Sequence, residues 1–230
     1  MNNLPINSFP VSTLSQQQIL NKIHVHIKSF DSFLPVLTLN ISMFGLHPKP
    51  LQDWLIQHAF ITPDGMGISL LSLFKHLKWI KRYAGIDMVN DLLGVSEIPF
   101  SVALIGGNDA ALNGAIAYVK QFGHSVIFSQ NGFSNPISEE TISKLSTLKP
   151  QLILVAMGCP KQDEFIFKLS HHLSAGVAIG VGGSFDVWAN LKPRAPKVVQ
   201  WLGLEWLFRA ILEPQRFLRL WRVFLLLLKK

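Results

Sequence analysis

Asp64 lies in the segment Thr62-Pro63-Asp64-Gly65, between a short apolar run and a helical pattern. A carboxylate at the carboxyl edge of a sheet can take the proton of a substrate hydroxyl. Pro-Asp-Gly is also ordinary turn chemistry, and a turn can carry such a base. Gly106-Gly107-Asn108-Asp109 follows another apolar run and opens a helical pattern. Glycines before a helix N-terminus suit a phosphate, and a plain strand-to-helix turn reads equally well. The segment is neither a dinucleotide fingerprint nor a Walker loop. Gly158-Cys159-Pro160-Lys161-Gln162-Asp163-Glu164 repeats the arrangement. Pro160 suits the first helical position. Gln162 can bond a sugar or phosphate, Lys161 adds charge, and Glu164 can serve the helix dipole. In Gly182-Gly183-Ser184-Phe185-Asp186 the carboxylate can meet a ribose or a base, or cap the next helix.

Other chemistries have less support. Cys159 is the only cysteine, which excludes a disulfide framework and a multi-cysteine metal site. It has no histidine nearby in sequence to activate it as a nucleophile. The eight histidines are scattered, and His171-His172 and the His24/His26 pair lack the surrounding ligands of a zinc site. There is no Asp-x-Asp carboxylate clamp for a metal-bound nucleotide sugar.

Around these segments the sequence alternates. Strands are expected over 35–40, 59–62, 101–105, 125–128, 151–156 and 177–181. Helices are expected over 15–28, 51–57, 68–76, 86–93, 110–121, 138–147 and 161–173. Strand, turn, helix, strand is the βαβ signature, so the fold class is α/β: a Rossmann-like, mostly parallel sheet flanked by helices. Ligands of such sheets bind beyond the carboxyl ends of the strands, where all four segments fall. After Arg194 the pattern is helical only, with Pro214 a break. The expected division is an α/β domain over 1–194 and a basic, amphipathic helical appendage over 195–230.

The net charge is +7 at 15% charged residues, which points to an anionic partner. The cations gather at the end. Residues 205–230 hold Arg209, Arg216, Arg219, Arg222, Lys229 and Lys230 against two acids, interleaved with Trp206, Phe208, Phe217, Trp221, Phe224 and a leucine run. That is the composition of a helix lying on an anionic membrane surface, or of a solvated basic face. A nucleic-acid binder would spread its cations and aromatics along one surface. A leucine-rich tail fits lipid better, so no nucleic-acid partner is expected. The N-terminus is not a secretory signal, and no run of 18 apolar residues occurs.

In order along the chain, these pieces resemble the WecG/TagA/CpsF glycosyltransferases. The carrying residues are Thr38-Leu39-Asn40, Thr62 to Gly67, Ala84-Gly85-Ile86-Asp87-Met88, Gly106-Gly107, Asn131-Gly132-Phe133, Met157 to Glu164 and Val181 to Asp186. Arg194-Ala195-Pro196, Gly203 to Arg209 and Glu213-Pro214-Gln215-Arg216 complete the series. The resemblance implies an inverting, metal-independent transfer without a cofactor. The donor would be a UDP-sugar, with N-acetylmannosamine or its uronic acid first in line. The acceptor would be a polyprenyl-diphosphate-linked N-acetylglucosamine at the inner membrane face, with the protein cytoplasmic and peripheral. It implies Asp64 as general base, and Thr38, Asn40, Gln162, Arg194, Arg209, Arg216, Arg219 and Arg222 around the substrate. Gly106, Gly107, Gly132, Phe133, Gly158, Gly182, Gly183 and Asp186 would hold the nucleotide, with Phe133 stacking on uracil. Homo-oligomers are compatible with all this. The alternative is a non-catalytic nucleotide-sugar-binding scaffold of a polysaccharide assembly complex. The chain departs from the family at Leu39, at Asp163 in place of Glu, and in Val187-Trp188-Ala189-Asn190, where a Gly is usual; the last bears on donor identity.

Overall fold

A computed structural model describes residues 2–96, 98–201 and 204–212. It opens with a hairpin of β1 (Asn3–Ile6) and β2 (Phe9–Ser12), then α1 (Gln16–Ser29), β3 (Phe33–Leu39) and a 3-10 turn (Ile41–Met43). Next come α2 (Lys49–His58), β4 (Phe60–Pro63), α3 (Met66–His76), α4 (Gly85–Val95), β5 (Ser101–Gly106) and α5 (Asp109–Gln121). β6 (Ser125–Gln130), α6 (Glu139–Leu148), β7 (Leu152–Ala156), α7 (Lys161–Ser170), β8 (Gly176–Gly180) and α8 (Ser184–Trp188) follow. α9 (Lys197–Trp201) and α10 (Glu205–Leu212) end the described chain. α9 and α10 fall within the appendage expected over 195–230, of which 202–203 and 213–230 lie outside the described residues.

The main sheet has the order β4-β3-β8-β7-β5-β6, and every pairing is parallel. β7 and β8 are buried along their whole length, as expected of strands covered on both faces. Alternate side chains point to opposite layers. Val102, Leu104, Leu152 and Leu154 pack with α1, α4, α5 and α8. Ala103, Ile105, Ile153 and Val155 pack with α6 and α7. Leu37, Leu39 and Ile61 meet α2, α3 and the hairpin. Edge strand β6 alternates between exposed and half-buried positions.

Local signals set the helix starts. Ser15 forms a capping box with Gln18, and Asn108 and Ser138 accept from the amides of Ala111 and Thr141. The expected strands and helices are all present, with ends shifted by at most three residues. The hairpin and the short α8 and α9 had no clear signal. The hairpin turns on Asn7 and Ser8, at φ 48° and 74°, the left-handed pair of a two-residue hairpin turn.

Gly106 ends β5 at φ 119°, and a Cβ there would lie 2.3 Å from the carbonyl oxygen of Ala156 on β7. No side chain fits without parting the two strands. Gly106→Ala is expected to cost at least about 3 kcal/mol, read as a fall in the urea midpoint.

Candidate active site at the strand ends

α5 and α7 leave neighbouring strands β5 and β7 toward opposite faces. Such divergence marks the carboxyl ends of the strands, where α/β sheets bind ligands. β3 and β4 are in register with Leu39 opposite Pro63, which sets Asn40 beside Asp64. The Asp64 amide donates to Leu39 O at 2.8 Å, and the residue is half-buried. Asn40 Oδ1 accepts from Ser42 N at 3.1 Å and Ser42 Oγ at 2.5 Å, which fixes its side chain. Tyr83 ties α4 to the same edge: its amide donates to Pro63 O at 2.8 Å. Its hydroxyl donates to Asp91 Oδ2 at 2.6 Å. Burial, followed by that bond, holds the Tyr83 phenol far above its ordinary pKa, so it stays neutral.

Thr38 and Gln162 converge on the end of β8. The Thr38 hydroxyl donates to Gly180 O at 3.0 Å, and Gly85 of α4 packs directly against Thr38. Gln162 is buried; its Oε1 accepts from Gly182 N at 3.1 Å. A Cβ on Gly180 would lie 2.4 Å from Gln162 Nε2, so only glycine leaves room for the amide. Both polar residues thus brace the Gly180–Gly182 turn from opposite sides, a positioning task the sequence did not reveal.

Gly107 and Gly132 meet beyond β5 and β6, at the far side of this edge from β4, where Gly132 N donates to Gly107 O at 2.8 Å. Phe133, next in the chain, is 84% exposed, while its backbone is held in place. Asn131 Oδ1 accepts from the amides of Phe133 (3.1 Å) and Ser134 (2.9 Å), and Asn131 Nδ2 donates to Asp109 Oδ1 at 2.6 Å. The Phe133 ring thus stands in solvent beside a glycine turn and the α5 N-terminus.

The remaining residues divide. Gly158 and Gly183 sit in the turns after β7 and β8, with Gln162 N donating to Gly158 O at 2.9 Å. Asp186 lies inside α8 and does not cap it; its Oδ2 pairs with Lys192 Nζ at 3.1 Å. Arg194 donates to Asp87 Oδ2 at 2.7 Å and approaches Glu205 Oε1 at 3.9 Å. Burial alone would lower its pKa, but the Asp87 bond and charge raise it overall. In this state Arg194 fastens α10 to α4. Arg209 is in α10; Arg216, Arg219 and Arg222 lie outside the described residues. Trp188 packs against the helices, stacking on Tyr118 at 5.1 Å and donating to Asn90 Oδ1 at 2.9 Å. It lines a groove of about 560 Å³ with Asn190 and Arg194.

Cys159 does have a histidine, from far away in sequence. His47 Nε2 lies 3.4 Å from Cys159 Sγ and 2.8 Å from Asp163 Oδ2, with His47 and Asp163 buried. The three donor atoms lie within 4.8 Å of one another. Asp163 in place of the family's Glu thus has a partner, and the pair ties the loop before α2 to α7. Removing one partner of a buried pair strands the other. His47→Ala is expected to cost about 3 kcal/mol, visible as a lower thermal midpoint.

Among the described residues no helix is long and apolar enough to cross a membrane. The model of the glycosyl transferase WecG/TagA/CpsF family matches residues 4–230. An N-acetylglucosaminyldiphosphoundecaprenol N-acetyl-beta-D-mannosaminyltransferase of Bacillus subtilis (strain 168) is 30% identical over 184 residues, covering 78% of this chain and 71% of that protein. The protein of the same name from Staphylococcus aureus (strain NCTC 8325 / PS 47) is 30% identical over 166 residues, covering 71% of this chain and 65% of its own length. With the family model covering nearly the whole chain, this protein belongs to the WecG/TagA/CpsF family and is a glycosyltransferase.

Proposed function

We propose that the protein transfers an N-acetylhexosamine, N-acetylmannosamine first in line, from a UDP-sugar to an N-acetylglucosamine carried on undecaprenyl diphosphate. The observation that carries this reading is the division of the sheet's carboxyl edge. Asp64 and Asn40 stand at one end, and Phe133 with the Gly107/Gly132 contact stands at the other. A nucleotide on the second end would turn its sugar toward the first. The names of the relatives supply the sugar and the lipid acceptor.

In the reaction Asp64 takes the proton of the acceptor hydroxyl. The oxygen attacks the anomeric carbon from the face opposite UDP, the bond from that carbon to the diphosphate oxygen breaks, and configuration inverts. Charge grows on the departing diphosphate and must be met. The chain has no Asp-x-Asp clamp, and we assign that task to backbone amides of the glycine turns and to the arginines of the tail, without a metal. The tail also holds the enzyme at the inner face of an anionic membrane, where the lipid acceptor sits.

The test is UDP release in EDTA, with a short-chain lipid-diphosphate N-acetylglucosamine and each of four donors: UDP-N-acetylglucosamine, UDP-N-acetylmannosamine, its uronic acid and UDP-glucose. Acceptor-dependent release with one donor is expected. UDP binding without release from any of them would turn the assignment toward a scaffold.

A further inference from the structure

α3 is apolar on both faces: Ile68 is fully buried and Leu71 half-buried against the core. Its core-facing positions include Ser69 and Ser72, both 0% exposed, while Leu70, Leu73 and Phe74 face solvent, as does Leu77 just beyond the helix. Residues 70, 73, 74 and 77 are spaced i, i+3, i+4, i+7 and form one apolar stripe. Phe74 is 78% and Leu77 89% exposed, and Trp79 follows at 51%. A helix stabilised only by the core would keep its large apolar side chains on the inward face alone.

The segment is also held in this arrangement. Ile80 and Tyr83 are buried, the Ser72 hydroxyl donates to Lys78 O, and the Arg82 guanidinium donates to Gln200 O. The last contact brings α9 alongside, with its exposed Val198 and Trp201. The apolar side chains are thus presented outward by a fixed turn.

The charge around them is of one sign. Residues 65–86 contain Lys75, Lys78, Lys81 and Arg82 and no acid, and the three lysines are exposed. In Phe74-Lys75-His76-Leu77-Lys78-Trp79 the apolar side chains are interleaved with basic ones. Such a surface suits the head-group layer: apolar tips enter the acyl boundary while ammonium groups stay with the phosphates. A second copy of this chain would instead set like charges against each other.

We infer that the exposed face of α3 and the turn through Trp79 form a docking surface for an anionic lipid bilayer, separate from the tail. This deepens the membrane part of the proposed function and rests on it. α3 begins two residues after Asp64, and its 11 residues span about 16 Å at the helical rise. Docking at its far end sets the candidate base roughly one helix length from the head groups carrying the acceptor.

The experiment is co-sedimentation of the full chain with sucrose-loaded vesicles of equimolar phosphatidylglycerol and phosphatidylcholine. Wild type is compared with Phe74→Ser/Leu77→Ser and with a chain lacking 216–230. The double variant is expected to need at least about tenfold more lipid for half-binding, the scale of losing two partly inserted apolar side chains. Its thermal midpoint and UDP binding stay at the wild-type value, because both side chains are exposed. Unchanged binding by the double variant, with binding lost in the truncated chain, would overturn the α3 surface and leave the tail reading intact. No binding by wild type would overturn both. Loss of lipid-free self-association in the double variant, with vesicle binding unchanged, would assign the face to a second copy and also overturn the inference.

Discussion

Asp64→Asn is expected to lower acceptor-dependent UDP release about a thousandfold, within the range of a general base. UDP binding should be unchanged. The substitution keeps the size of the side chain and the amide bond to Leu39 O that sets the turn, but it removes the ability to take a proton. The loss should therefore fall on turnover. Two assays decide it: single-turnover UDP release and UDP titration by calorimetry. Turnover within a few fold of wild type would remove Asp64 from the base role. Loss of UDP binding as well would place its carboxylate at the donor.

Deleting 216–230 is expected to release the protein from phosphatidylglycerol vesicles and nearly abolish transfer to a lipid-linked acceptor. The segment carries Arg216, Arg219, Arg222, Lys229 and Lys230 and no acid. At about 1 kcal/mol per cation near an anionic leaflet, these five could contribute up to about 5 kcal/mol, several thousandfold in partition. The leucine run and Trp221 would add apolar burial. If some of these arginines also meet the leaving diphosphate, transfer to a water-soluble acceptor should fall as well. Full activity on that acceptor would confine the tail to the membrane. Full retention on vesicles would remove it from the membrane role.

The sheet was legible because its strands are nearly continuous apolar runs closed by glycine turns, as in Ile105-Gly106-Gly107 and Gly180-Val181-Gly182. Those runs fix strand identity and place the turns on one edge. The hairpin was not legible: its strands have four residues each and contain Pro5 and Pro10, and its turn uses Asn-Ser without glycine. Sequence spacing could not join His47 to Cys159, which stand 112 residues apart. Gln162 was visible as a polar residue at a helix start; that it serves β8 from beneath depends on the α7 packing. α3 was visible as a helix, but a large apolar stripe ordinarily marks the core side. Only the fold shows Ile68 and the serines taking that place.

The position of β8 has a consequence for the order of assembly. β8 alone joins β3 to β7, and Thr38 meets Gly180 across 142 residues of chain. Until β8 leaves the ribosome, the nascent chain can form only a β4-β3 pair and a separate β7-β5-β6 unit. Asp64 and Asn40 belong to the first, and Gly107, Gly132 and Phe133 to the second. A two-stranded unit is marginal by itself, and each half bares an unpaired edge. Such long-range pairing is slow to form. The two ends of this edge are therefore joined only at the last strand. A translation product stopped before Gly176 would be two open half-sheets, inactive and prone to self-association.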